Sequence, residues 1–270
     1  MPPESSFKGY LSGPHDRGLA TQLLLSIVVV FALMLYGVLR LQSLETRMKK
    51  AIIVLTFLLL TTSFIYSQEL NERPMYGGIQ KTPEMVRIDK EFVDYMVRTF
   101  GSRDKAADDA IRRGFEFLAK ADWRMAMKRF NQAWLLSPDK VEVIWGFGAA
   151  LSYEGKFEDS EKYFQQAAAL APNNGGLLTD FGFLYQFWAT KGTKDKTDKL
   201  KRLDHSIVLF EQAARLEPTY DRIYFDWAVS LFFKKDYAGA WKKINEAEKL
   251  GGKSIEQKFV ADLEKKMPRP

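Results

Sequence analysis

Hydrophobic positions change rhythm along this chain. Near the start they run unbroken: residues 19–39, LATQLLLSIVVVFALMLYGVL, carry no charge, and Ala51 to Leu60 form a second apolar core. From residue 82 onward apolar side chains recur every three or four positions among charged ones, the period of an amphipathic helix. Met85, Ile88, Phe92 and Met96 mark one such face, after Thr82-Pro83-Glu84, where proline suits the first helical turn; Gly101 ends it. Ile255, Phe259 and Leu263 mark another, on a helix expected from Ser254 to Met267. Residues 68–81, QELNERPMYGGIQK, have no period and are expected to form an extended linker.

A longer period overlies the short one. Gly114, Ala126, Phe130, Ala133 and Pro138 hold positions 8, 20, 24, 27 and 32 of a 34-residue unit that begins at Ala107. One period later stand Gly148, Ser160, Phe164, Ala167 and Pro172. A third copy has Gly182, Ser206, Phe210, Ala213 and Pro218, with twelve extra residues between its halves. A fourth begins at Asp221 and carries Ala228, Ala240, Ile244 and Ala247, with Gly252 in place of the proline. Small residues at three of these positions let two helices approach closely, a large one at position 24 fills the space between units, and proline stops the second helix. On this reading Phe130 is core, and Trp134 is expected to pack against the neighbouring repeat.

This pattern resembles the tetratricopeptide repeat (TPR) family over residues 107–252. The lines ERPMYGG and RFNQAWLL are also similar to a group of exported bacterial repeat proteins. The resemblance implies an all-α, right-handed α-solenoid of about four helix-turn-helix units. Capping helices are expected at 82–106 and 253–270, and hydrophobic N-terminal segments before them. In that family the first helix of each unit lines a concave groove. The residues carried there are Ile111, Phe115 and Leu118, then Trp145 and Tyr153, then Phe183 and Phe187 with Thr179 and Gln186, then Phe225, Val229, Phe232 and Phe233 with Arg222. The Lys and Asn that a carboxylate-clamp groove needs are absent from these positions, which speaks against a receptor for chaperone tails.

The two apolar runs bear on location. Twenty-one residues of helix span about 30 Å, enough to cross a bilayer, so residues 19–39 offer membrane association. Residues 48–67 have the layout of a secretory signal: Lys49 and Lys50 after Met48, the apolar core, then small residues with cleavage after Ser63 or Ser67. Either residues 1–47 are an upstream extension and the chain starts at Met48, or both runs form a membrane hairpin. Arg40, Arg47, Lys49 and Lys50 would hold the hairpin's linker in the cytoplasm. Both alternatives place the repeats outside the cytoplasm, in the periplasm or cell envelope.

Charge and composition mainly exclude. The net charge of +6 divides equally between residues 1–67 and the longer remainder, which gives no case for nucleic acid. Without cysteine there is no disulfide, no thiolate zinc site and no thiol nucleophile. The two histidines are His15 and His205, and His205 beside Asp204 makes no dyad, because helical neighbours point about 100° apart. No helical metal pair, phosphate loop or serine elbow occurs, so neither catalytic residues nor a cofactor are expected.

Two function classes remain. The first is a non-enzymatic exported scaffold that binds a protein or peptide in an aromatic concave groove through Phe115, Trp145, Tyr153, Phe183, Phe187, Phe225 and Phe232. The sequence leaves open whether that groove is open or filled by the chain itself. The second is a membrane-tethered structural or oligomerising envelope protein. It would contact anionic polymer or lipid through the insertion at 191–202, where Lys191, Lys194, Lys196, Lys199, Lys201 and Arg202 outnumber Asp195 and Asp198.

Overall fold

The computed structural model describes residues 70–270, together with Ile52, Ile53 and Leu55. The expectations for residues 1–47 and 19–39 and for the signal-like segment fall outside the described residues, those three helical positions excepted. The chain divides into two compact units, one containing Pro74–Pro270 and the other Gly9–Arg73. Among the described residues no helix is long and apolar enough to cross a membrane.

Among the described residues of the larger unit there are ten α-helices: α1 Pro83–Phe100, α2 Arg103–Leu118, α3 Trp123–Leu136, α4 Val141–Glu154, α5 Phe157–Leu170, α6 Gly175–Phe187, α7 Lys196–Leu216, α8 Asp221–Phe233, α9 Tyr237–Lys249 and α10 Gln257–Lys266. Several begin on a side chain that accepts an otherwise unpaired backbone N–H of the first turn. Thr82 caps α1, Ser102 α2, Asp122 α3, Asn174 α6, Asp195 α7 and Asp236 α9. Gly101 ends α1 at φ 85°, a left-handed conformation that costs glycine little.

The helices pack in consecutive pairs, α2 with α3, α4 with α5, α6 with α7 and α8 with α9, and each pair stacks on the next. This is an all-α solenoid of four helix-turn-helix units. Position 24 meets position 8 within each of the first three. A Cβ on Gly114 would lie 2.5 Å from the Phe130 ring, and one on Gly182 would lie 2.7 Å from Phe210. Phe130 is also pressed on its next-unit side by Gly146, where a Cβ would come within 2.3 Å. In the fourth unit Ala228 faces a smaller partner and Ile244 replaces the ring, both fully buried.

Both ends are covered, with corrections to the sequence expectation. Val93, Phe92, Met96 and Phe100 of α1 pack on Ala106, Ala107 and Leu136, but Ile88 is exposed, so only the C-terminal half of α1 seals the first unit. At the other end Phe259 and Leu263 of α10 lie on the apolar cluster of α8 and α9, and Trp241 Nε1 donates to the Met267 carbonyl at 2.9 Å. Within the stretch expected as an extended linker, Pro74–Gly78 winds into a tight turn with Met75, Tyr76, Gly77 and Gly78 all at positive φ. The turn sets Tyr76 against Trp134, and Lys81 Nζ lies 4.7 Å and 5.2 Å from the two ring centres. Trp134 therefore meets this leading segment, not only its own repeats, because the turn folds back over α3.

The insertion of the third unit is ordered. The chain leaves α6 through a wider helical turn at Trp188–Gly192, then begins α7, which has 21 residues against 14 in α5. The Arg202 guanidinium stacks 3.3 Å from the Trp188 ring centre and pairs with Asp198 at 2.9 Å, fixing the added turns to the core.

Candidate concave-face site

The first helices α2, α4, α6 and α8 line up in order, and the seven aromatic residues expected in the groove divide into two sets. Trp145, Phe183 and Phe225 are buried. Phe115, Tyr153, Phe187 and Phe232 are half-buried. The rings largely fill the groove themselves. Phe115 lies 4.9 Å from Trp145 between ring centres, Phe183 stacks on Phe187 at 6.0 Å, and Phe259 of α10 contacts Phe225 at 5.5 Å and Phe232 at 5.3 Å. The C-terminal helix thus occupies the fourth unit's share of the groove. Of the further groove residues, Ile111, Leu118 and Thr179 are buried, Val229 is half-buried and Phe233 exposed.

Between the first helices lies a hollow of about 30 Å³, room for water but not for an aromatic ring. Its walls include Phe115 from α2, Tyr153 from α4, Asp180 and Phe183 from α6, and Arg222 from α8. Every unit contributes one side chain or more.

A chain of polar contacts runs beneath it. Trp145 Nε1 donates to Asp180 Oδ2 at 3.0 Å. Arg222 pairs with Asp180 at 2.9 Å and with Asp226 at 3.2 Å. Gln186 Nε2 donates to the Asp226 carbonyl at 2.6 Å and to Ser230 Oγ at 2.8 Å, and Ser230 meets Ser206 at 2.8 Å. Asp226 is 1% exposed. Burial pushes its carboxyl up to about 7; the Arg222 charge opposes that and Asp180 adds to it. Burial works against the charge on Arg222 as well, and the two carboxylates more than offset it. These contacts tie α4, α6 and α8 together.

Sequence reading places Arg222 and Gln186 in the groove but misses Asp180 and Asp226. A signal for them exists, since both carboxylates stand at position 6 of consecutive units, one on each side of an arginine at position 2.

The basic insertion lies elsewhere. Lys191, Lys194, Lys196 and Lys201 are exposed; Lys199 and Arg202 are half-buried, each against a ring. His205 packs edge-on against Tyr185 at 5.1 Å, while its sequence neighbour Asp204 pairs with Lys234. Among the described residues no group of three or more His, Cys, Asp and Glu side chains could hold a metal ion.

No family model matches this chain, and no curated protein matches it. Solved structures do. A thermophilic TPR protein of Thermus thermophilus superposes with a TM-score of 0.52 at 15% identity, over 60% of this chain and 84% of that one. MamA 41-end from Desulfovibrio magneticus RS-1 gives 0.42 at 15% identity, over 63% and 97%. MamA AMB-1 gives 0.39 at 16% identity, over 65% and 96%. The chain has the TPR fold; at these identities the likeness is one of fold alone.

Proposed function

We propose that this protein is a non-enzymatic, exported scaffold that holds a protein or peptide segment across the first helices of its units. The observation that carries the reading is the hollow walled by residues of α2, α4, α6 and α8 at once, because a segment laid there contacts every unit. Phe115, Tyr153 and Phe187 are half-buried, which leaves part of each aromatic side chain available to a partner. Buried Trp145 packs on Phe115, and buried Phe183 packs on Phe187. Because the hollow is small, the partner lies over the groove and inserts no large side chain. Export rests on the signal-like pattern at 48–67.

A photoreactive residue in place of Tyr153 in the full-length chain, expressed in its native host, tests this. A single discrete adduct is expected, absent when the same residue replaces Gln165 on the second helix of unit 2. Adducts of equal yield at both positions, or none at Tyr153, reject the groove. The intact mass of the host's own protein tests export: a species beginning near Phe64 or Gln68 supports cleavage.

A further inference from the structure

We propose that one edge of the solenoid, formed by the turns between the first and second helix of each unit, docks on an anionic lipid bilayer. This goes beyond the concave-face reading and shares with the expected groove residues only the exposed Phe233.

Connectivity builds the edge. The turns after α2, α4, α6 and α8 share one side of the array, and the turns carrying Pro138, Pro172 and Pro218 share the other. The two sides differ in charge. The proline-bearing turns read SPDK, APNN and EPTY, with one lysine against two carboxylates. The first side carries Lys120, Lys156, the insertion, and Lys234-Lys235. Several acids on that side are already engaged, and Glu154 takes up Lys156 at 2.7 Å. Asp195 and Asp236 cap α7 and α9, Asp198 pairs with Arg202, and Asp204 pairs with Lys234. Lys191, Lys194, Lys196, Lys201 and Lys235 are exposed, and among the described residues no ion pair engages them.

Charge alone would suit any polyanion. Two apolar side chains distinguish the bilayer. Leu200 is 38% exposed and Phe233 is 37% exposed, both among these lysines, and Lys199 Nζ lies 5.1 Å over the Phe233 ring. Lysines draw such an edge to anionic headgroups, and the apolar side chains enter the interfacial layer while the ammonium groups stay at its surface. A soluble acidic polymer offers Leu200 and Phe233 nothing.

The test exploits the absence of cysteine. Leu200→Cys in the full chain gives one attachment point for an environment-sensitive fluorophore, and Asp139→Cys gives a control on the opposite edge. Each is reconstituted into neutral vesicles and into vesicles containing phosphatidylglycerol, with a quencher within the bilayer. Insertion of the apolar N-terminal segments is common to both preparations, so the difference reads the edge. Quenching at position 200 is expected to be at least about threefold stronger in the anionic vesicles. The gain is expected to vanish at about 0.5 M salt. It also vanishes when Lys191, Lys194, Lys196 and Lys201 are changed to Gln with helical content intact. Equal quenching in the two vesicle types, an equal gain at position 139, or a gain that survives the Lys→Gln changes overturns the proposal. If polyglutamate shifts the label as far as the anionic vesicles do, the edge recognises an acidic polymer and the bilayer assignment falls.

Discussion

The seam between the first and second units and the seam between the third and fourth join the same kinds of helices with different materials. The first is apolar. Phe130 sits between Gly114 and Gly146, with Phe115 set against it at 5.2 Å. The second is polar. Arg222 bridges Asp180 and Asp226, and Gln186 reaches across to the Asp226 carbonyl and Ser230. An apolar seam asks only for complementary shape. A buried polar seam also asks that each partner be present, since a charge left behind without its counterpart is costly. The first should therefore degrade in proportion to lost volume, and the second should fail as a network.

The sharpest test of that difference is Phe130→Ala. It empties space between two glycines that cannot move side chains in to compensate, and a loss of about 4 kcal/mol is expected from urea unfolding. Arg222→Ala strikes the other seam and is expected to cost about 3 kcal/mol, because Asp180 and Asp226 remain without the guanidinium between them. If Arg222→Met costs as little as a typical surface change, the polar seam has no special status.

A pH series comes next in size. Asp226 titrates near 7 in the folded chain against an ordinary value of 3.8, so the folded state binds that proton more tightly than the unfolded state. Stability from this group is full below about pH 4 and declines as pH rises to about 7, because over that interval the unfolded state has released a proton that the folded state still holds. Asp226→Asn should flatten most of that slope in denaturant midpoints, whereas Phe130→Ala should leave it unchanged. The smallest effect is Gln186→Ala, at about 1 kcal/mol, read by the same unfolding curves. A larger loss would mean that the Gln186–Ser230–Ser206 chain acts with the charged pair as a single unit.

These seams also explain what could be read from the sequence. Gly114, Phe130 and Pro138 lie within one 34-residue period, and each choice is local: a small residue, a large one, a stop. Local choices repeat, so the units and the solenoid they form are visible in sequence. The polar seam is not local. Asp180 and Arg222 are separated by the insertion, and a lone Asp on a helix reads as a solvated residue. Burial of the aromatic set is equally hidden. Nothing in the residue types of Trp145 or Phe183 tells whether a neighbouring ring or a partner covers them, because that depends on the spacing of adjacent units. The surroundings of Trp134 escape sequence reading because the covering residues, Tyr76 and Lys81, reach it through four consecutive residues at positive φ, two of which are not glycine. Such a turn has little propensity signal beyond its Gly-Gly.

The polar chain from Trp145 through Asp180 to Arg222 has a consequence for interchangeability. Repeat arrays are commonly lengthened or shortened by whole units, since each interface resembles the next. Here the second unit supplies a donor, the third an acceptor shared by both neighbours, and the fourth the cation. Removing the third unit would leave the Trp145 indole without its acceptor and the Arg222 guanidinium with Asp226 alone, and duplicating it would bury one carboxylate too many. The order and number of these three units are therefore specified, and this stretch of the array behaves as one indivisible module.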